Sequence, residues 1–427
     1  MEILNAKNLS IEKILSRIKR VQSKKQDVEA TVKDILAKVK TGCDKAVFEL
    51  TEKFDGVKLT SFKVDAREIA EAYSQVSPNL LQALKKARRN IKKFHEANLI
   101  RKGDITETEK GVKLWREFRP IERVGLYVPG GKAAYPSTIL MLAVPAKIAG
   151  CKEIIICTPA DKSGKCNPAV LIAADMCGIN EIYKIGGAQA IAAMAYGTET
   201  VPKVYKIFGP GNQYVTTAKM LAYGEVDIDM PAGPSEALII TDGNANLKWI
   251  AADMLSQLEH GEDSQSILIT FFEDFALKVI KEMESQISAL SRKEIISESF
   301  KKSFIIIVDS EKQACEIANE YAPEHLEILT KNPRKTLKKI NNAGSVFLGE
   351  YSSEPLGDYV SGANHTLPTS GYAKMFNPLS AESFGKMMQV QEISKNGFKN
   401  LKKAVEIIAE SEGLTAHKNA ITIRNYD

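Results

Sequence analysis

The stretch RVGLYVPGG, residues 123–131, decides the fold because it is the first of a series. A run rich in β-branched and aromatic residues, Val124–Val128, ends in the corner Pro129-Gly130-Gly131, and a helix-like apolar segment follows over about 136–149. The unit then recurs. Strand-like runs at Glu153–Thr158, Glu181–Ile185 and Val204–Phe208 alternate with helix-like segments near 168–177, 188–196 and 212–222. Gly186-Gly187 and Gly209-Pro210-Gly211 end two of these runs, and Ala232-Gly233-Pro234 forms a further loop. Strands alternating with helices at this spacing predict βαβ units and a parallel sheet. Such sheets bind ligands at the carboxyl ends of their strands. Corners without a Cβ there admit the close approach of a phosphate to a helix N-terminus.

Working outward, a second alternating block follows. Ser266–Phe272, Phe304–Val308, Leu326–Thr330 and Val346–Leu348 read as strands, separated by helices near 275–285, 311–321 and 333–342. Upstream, 11–40 and 66–98 carry apolar positions at helical spacing among many Lys, Glu and Gln. The tail from about 377 holds an amphipathic segment, Leu401–Glu410, and a short alternating piece, Ile421-Thr422-Ile423. The fold class is therefore α/β: two Rossmann-like parallel-sheet domains plus a helical N-terminal region and a small C-terminal segment. The boundaries read as 1–121 with 236–376 for the first α/β domain, 122–235 for an inserted α/β domain, and 377–427 for the C-terminal segment. Beyond the βα rhythm there is no internal sequence repeat, and no low-complexity linker.

Composition narrows the function classes. The 427 residues suffice for two or three domains, and 44% hydrophobic with 26% charged content is that of an ordinary globular chain. The formal charge of +5 is small for this length, and Lys and Arg are spread along the chain, which argues against nucleic acid as a partner. The stretch LKKARRNIKK, 84–93, reads as a solvated helix side. No run approaches the length of a membrane span, and the first twenty residues lack a signal-peptide core. The six cysteines, Cys43, Cys151, Cys157, Cys166, Cys177 and Cys315, form no CxxC pair and no framework. That usage fits a reducing compartment, and the chain reads as cytoplasmic.

Histidine is the informative residue because there are only five. His95 reads as an exposed residue of a helix. The others, His260, His325, His365 and His417, each stand within a few residues of a carboxylate, an amide or a glycine. Gln257 and His260 are three apart on a helix-like segment, Trp249–His260. One face could offer both to a shared ligand, or the pair could be a polar helix end facing water. Asp358, on a glycine-rich loop, is either a further oxygen donor for zinc or an aspartate bonding its own backbone. The absence of a cysteine ligand pattern argues against a closed structural zinc site. Glu324 and His325 follow Pro323, which stops the preceding helix. In an extended segment they point apart; a turn would let both face one cavity, the carboxylate to activate water and the imidazole to accept protons. For a cofactor the local signal is weak: Gly209-Pro210-Gly211-Asn212 begins like GxGxxG but lacks the third glycine.

Taken together and in order, these stretches resemble histidinol dehydrogenase. The resemblance rests on RVGLYVPGG (123–131), GGAQA (186–190), FGPGN (208–212), PAGPSE (231–236), SQLEH (256–260), APEHL (322–326), GDYVSGANH (357–365) and LTAH (414–417). It spans nearly the whole chain from about 30 to 420. It implies the last two oxidations of histidine biosynthesis, L-histidinol to L-histidinal and on to L-histidine, with two NAD+ reduced. It carries zinc binding onto Gln257, His260, Asp358 and His417, and acid/base roles onto Glu324 and His325. NAD contacts fall on Tyr127, Gln189 and Asn212, which makes 122–235 the NAD-binding domain. Substrate contacts fall on Ser235, His325, Asp358 and Glu412, on the metal-binding residues, and near His365. The resemblance further implies a homodimer whose C-terminal segment reaches the partner's site. Neither nucleic acid nor membrane is an implied partner.

Two other classes compete with this expectation. A zinc hydrolase could use Glu324 as water-activating base with the same ligands, but it would not need the glycine corners. A basic α/β scaffold binding nucleic acid through Lys85–Lys93 would show salt-sensitive binding that survives loss of zinc.

Overall fold

The computed structural model describes residues 1–20, 25–130, 135–231 and 233–424. Gly131 of the first corner and Ala232 of the loop at 232–234 lie outside the described residues. The chain opens with β1 (Glu2–Asn5) and α1 (Ile11–Arg17), followed by α2 (Lys25–Asp55), α3 (Ala66–Gln75) and α4 (Pro78–Asn98). The helical stretch expected at 66–98 is two helices, because the Ser77 hydroxyl accepts the Leu80 N–H and Pro78 opens a new first turn. The segment α2 is two helices joined at a break at Cys43 (φ +45°, ψ −135°), three residues past the expected end at 40; the second stops at Asp55, before Gly56 at φ +69°.

His95 is a correction to the sequence reading. It is 2% exposed, not a surface residue. Leu84, Ala87, Ile91 and His95 form the buried stripe of α4, at spacings of three and four, while Lys85, Lys86, Arg88, Arg89, Lys92 and Lys93 are exposed. Burial pushes the His95 imidazole down to about 4.

After a hairpin of β2 (Thr106–Glu109) and β3 (Val112–Pro120) comes the first parallel sheet. Its elements are β4 (Arg123–Tyr127), α5 (Pro136–Ala149), β5 (Glu153–Thr158), α6 (Pro168–Met176), β6 (Ile182–Lys184), α7 (Gly187–Tyr196), β7 (Lys206–Phe208), α8 (Gln213–Ala222) and β8 (Asp227–Ile228). The strand order is β6-β5-β4-β7-β8, parallel throughout. Helix α5 is buried almost all round, as its apolar sequence PSTILMLAVPAKIA requires. Helix α2, far away in sequence, packs on α7 and α8: its Val32, Val39, Val47 and Leu50 share a core with Ile191, Ala192, Val204 and Val215.

The second parallel sheet comprises β9 (Glu236–Thr241), α9 (Leu247–Leu258), β10 (Gln265–Thr270), α10 (Glu273–Ile287), α11 (Lys293–Phe300), β11 (Phe304–Ile307), α12 (Glu311–Tyr321), β12 (His325–Leu329), α13 (Pro333–Leu337), β13 (Ser345–Leu348) and α14 (Glu354–Tyr359). Its order is β1-β11-β10-β9-β12-β13, again all parallel. Strands EALIIT, QSILIT and HLEIL are buried along their whole length, as strands covered on both faces must be.

Residues 98–120 and 385–427 form a separate compact unit. Within it β14 (Gly385–Ile393) pairs antiparallel with β3, and β3 with β2; α15 (Lys395–Ser411) and α16 (Thr415–Thr422) follow. The alternating piece Ile421-Thr422-Ile423 is not a strand. It closes α16, where the Ile423 N–H bonds the Asn419 carbonyl; three alternating residues do not outweigh a helix already propagating. Among the described residues no helix is long and apolar enough to cross a membrane.

Candidate active site

Helix α12 ends because Ala322 takes a left-handed φ of +50° and Pro323 has no N–H to continue the ladder. The chain bends at Glu324, and His325 is the first residue of β12, opposite Ala237 of β9. The bend brings both side chains to one place, buried from solvent: Glu324 is 6% and His325 3% exposed. The main chain of Glu236 holds both. Its N–H donates to Glu324 Oε2 at 2.9 Å, and its carbonyl lies 3.3 Å from His325 Nδ1. Glu324 Oε2 is 3.7 Å from that same Nδ1. A carbonyl can only accept, so Nδ1 carries the proton toward Glu236 and Nε2 faces Asp358 Oδ1 at 3.4 Å.

Asp358 stands on the short helix α14, not on an open loop, and its carboxylate faces His325. Burial raises the Glu324 carboxyl to about 8. Burial alone would lower His325, but the carboxylates of Glu324 and Asp358 outweigh it and hold the imidazole well above its ordinary value. For Asp358 burial acts upward, and the hydrogen bond and charge of His325 draw it down to about 2.

Gln257 lies in the last turn of α9, fully buried, with neither Oε1 nor Nε2 of its side-chain amide bonded. His260 follows just past the helix end. Its Nδ1 is 3.2 Å from the Ser256 carbonyl and 3.3 Å from that of Gln257, which fixes the tautomer and leaves Nε2 to a ligand. Donor atoms of His260, Glu354 and Asp358 lie within 4.8 Å of one another. Two carboxylates, an imidazole and an amide oxygen suit zinc, and a buried amide without partners is costly unless something fills its lone pair. Glu354 escaped the sequence reading; the available signal was its spacing of four from Asp358 behind Pro355. Its Oε2 accepts the Ser256 hydroxyl at 2.7 Å.

The remaining residues fall around this centre or apart from it. His365 Nδ1 donates to the Asp358 carbonyl at 3.0 Å, and its Nε2 lies 3.2 Å from Thr138 Oγ1 on α5. Asn364 Nδ2 donates to the Met141 carbonyl, so the loop carrying His365 ties the candidate metal donors to the helix that follows the first glycine corner. Ser235, half-buried, precedes Glu236, and its carbonyl accepts the Gln265 N–H. Glu412, capping α15, and His417, on α16, belong to the second unit and are exposed.

The five-stranded sheet has its switch point between β4 and β7. Gly209 there has φ +122°, and a Cβ on it would lie 2.0 Å from the Tyr127 carbonyl oxygen. Its N–H donates to Asp229 Oδ2 and its carbonyl accepts from Lys219 Nζ, the two side chains forming a buried ion pair. The Tyr127 hydroxyl accepts the Gly187 N–H at 3.1 Å. Gln189, 1% exposed, leaves Nε2 unpartnered. Asn212 caps α8, accepting the Tyr214 and Val215 N–H groups. Close backbone approach and helix N-termini meet at this carboxyl edge, features that pyrophosphate binding uses in doubly wound sheets.

A family model described as histidinol dehydrogenase matches residues 18–425. The chain belongs to the histidinol dehydrogenase family. A histidinol dehydrogenase from Bacteroides fragilis (strain YCH46) is 50% identical over 408 residues, 95% of each chain. One from Clostridium acetobutylicum is 50% identical over 426 residues, 99% of each chain. The crystal structure of histidinol dehydrogenase from Elizabethkingia anophelis superposes with a TM-score of 0.96 at 46% identity, covering 99% of this chain and 98% of that one. These family relatives are dehydrogenases, and the hydrolase reading has no support among them.

Proposed function

We propose that this chain oxidises L-histidinol through L-histidinal to L-histidine, the last steps of histidine biosynthesis, using Zn2+ and two NAD+. The observation that carries the reading is the buried Glu324–His325 pair set against the donors Gln257, His260 and Asp358. When bound, zinc holds the imidazole and amine of the substrate in place and NAD+ takes up the hydride.

The protein supplies the proton chemistry. His325 Nδ1–H donates a hydrogen bond to the Glu236 carbonyl, so Nε2 is the atom that takes the substrate's hydroxyl proton. A cation held by Asp358 would offset part of the charge that keeps His325 protonated, which would free Nε2 to act as base. Glu324 lies beside it with a carboxyl raised by burial toward the working pH, which suits a group that takes a proton from water for the second oxidation. Ser235 stands at the entrance to the same strand end. Tyr127, Gln189 and Asn212 line the proposed NAD crevice.

His417 and Glu412 serve, in this reading, the site of a partner subunit in a homodimer. The apolar surface of their unit supports it, with Ile407, Ile408 and Ile423 more than half exposed. A cytoplasmic setting accords with six unpaired cysteines. The test is the NADH yield per L-histidinol with and without a chelator. Two NADH per substrate, abolished by chelation and restored by zinc, supports the reading; a yield of one, or indifference to the chelator, overturns it.

A further inference from the structure

The carboxylate of Asp55 reaches the proposed dinucleotide crevice from outside the five-stranded sheet and its connections. It is the last residue of α2, where Gly56 ends the helix, and the packing of α2 on α7 and α8 fixes its place. Both carboxylate oxygens lie 3.3 Å from where a Cβ of residue 186 would stand, so the glycine at 186 is what lets the acid approach the corner. That corner rests on the end of β5: a Cβ on Gly130 or on Gly186 would come within 2.6 or 2.8 Å of the Pro159 ring. Asp55 Oδ2 is buried without a hydrogen-bond partner. The Gln189 amide nitrogen, beside the neighbouring Gly187, is unpartnered too. Burial raises the Asp55 carboxyl to about 6 against the pull of the Gly186 amide.

In doubly wound dinucleotide-binding sheets an acid near the end of the second strand bonds the ribose hydroxyls. Here the second strand is β5, and the acid just beyond it, Asp161, is spent on its own loop. Its Oδ1 accepts from the Ser163 N–H at 2.8 Å, the Ser163 hydroxyl at 2.6 Å and the Lys165 N–H at 3.1 Å. We propose that Asp55 fills that role: it binds the ribose diol of the dinucleotide and makes the crevice select the form without a 2′-phosphate. A diol brings O–H donors to an oxygen that lacks one. A 2′-phosphate brings a second anion and no donor, so binding and rejection follow from one carboxylate.

The proposal rests on the NAD reading above, and the test separates the two. NADH and NADPH are titrated by fluorescence into the zinc-loaded full chain, its Asp55→Asn and Asp55→Ser variants, with melting curves and zinc content for each. The wild type binds NADH well and NADPH poorly. Each variant loses about ten- to a hundredfold in NADH affinity, and the preference over NADPH narrows by at least as much, with zinc content unchanged. Should a variant prove unfolded, the other carries the measurement. A wild type that binds neither nucleotide overturns the NAD reading itself. A wild type that prefers NADH, with folded variants keeping the same ratio, overturns the role of Asp55 alone.

Discussion

In the five-stranded sheet the first strand, β4, lies in the middle, with its two successors on one side and the next two on the other. The six-stranded sheet repeats that order around β9 and adds β1 at its edge. The candidate residues nevertheless sit at opposite ends. Around β4 and β7 they cluster at the carboxyl ends, where α7 and α8 begin and helix N-termini offer N–H groups. Around β9 and β12 they cluster at the amino ends, where α9 and α12 finish and helix carbonyls point outward. His260 Nδ1 meets the last carbonyls of α9, and the Arg20 guanidinium bonds the Tyr321 carbonyl at the end of α12. Helix N-termini favour anions and C-termini favour cations. One topology thus provides an edge suited to phosphates and an edge suited to a metal and a protonated amine. The rule that ligands bind at carboxyl ends covers only the first.

The comparison breaks first at the amino edge. His325→Asn should cost about a hundredfold to ten-thousandfold on histidinol and on histidinal alike, since each hydride transfer needs a proton to leave oxygen. Glu324→Gln should fall by a similar factor on histidinal and far less on histidinol, because only the second oxidation consumes water. Equal losses on both substrates in Glu324→Gln would show that this carboxylate is not a dedicated water activator.

Next comes the cation. Metal analysis of His260→Ala and His417→Ala should find zinc lost from both. Full occupancy in both would remove the metal from the amino edge and with it the electrostatic contrast. At the carboxyl edge, Gly209→Ala places a Cβ 2.0 Å from the Tyr127 oxygen. We expect a loss of roughly 1–3 kcal/mol in stability together with weaker NADH binding; a variant with unchanged melting and nucleotide affinity would mean that the close approach there has no function.

Two buried histidines sharpen the contrast further. His325 is held up by carboxylates, whereas His95 has no partner on Nε2 and is pushed down to about 4. Its folded pKa lies below the ordinary value, so acid favours the unfolded chain, and stability is lost as pH falls from about 6.5 toward about 4. His95→Leu should lose less melting temperature than the parent between about pH 7.5 and about pH 5; equal losses would refute the assignment. The smallest effect is expected of cysteine. Burial raises Cys151 and Cys166 to about 12 and Cys177 to about 11, the reverse of what a thiohemiacetal-forming thiol needs. No single Cys→Ala change should abolish histidinal oxidation while the protein stays folded.

The βα rhythm was legible because buried parallel strands are continuous apolar runs and their corners are glycines: every strand expected from Val124 to Leu348 exists, with ends shifted by a residue or two. The hairpin of β2 and β3 and its partner β14 were not, since an exposed strand such as TETE carries little apolar signal and β3 pairs with β14 across more than 260 residues. Among site residues, Glu324, His325, Gln257 and His260 could be singled out from Pro323 and from helical spacing. Glu354, whose one signal was its spacing of four from Asp358, and Asp55 were not, because each looks like an ordinary surface acid until another element closes over it.

By itself, then, the sequence determined the two parallel sheets, their order along the chain and, through an ordered set of motifs, the family. These are local patterns of apolarity, glycine and spacing, and local patterns survive reading in one dimension. Tertiary structure alone decided which acids lose their solvent. It folded the end of α2 onto Gly186, aimed Asp358 at His325 from a short helix, and hung Glu324 and His325 on the main chain of Glu236. The reason is that hydration, not residue type, sets the charge and reactivity of a carboxylate or an imidazole, and hydration is settled only when distant segments pack together.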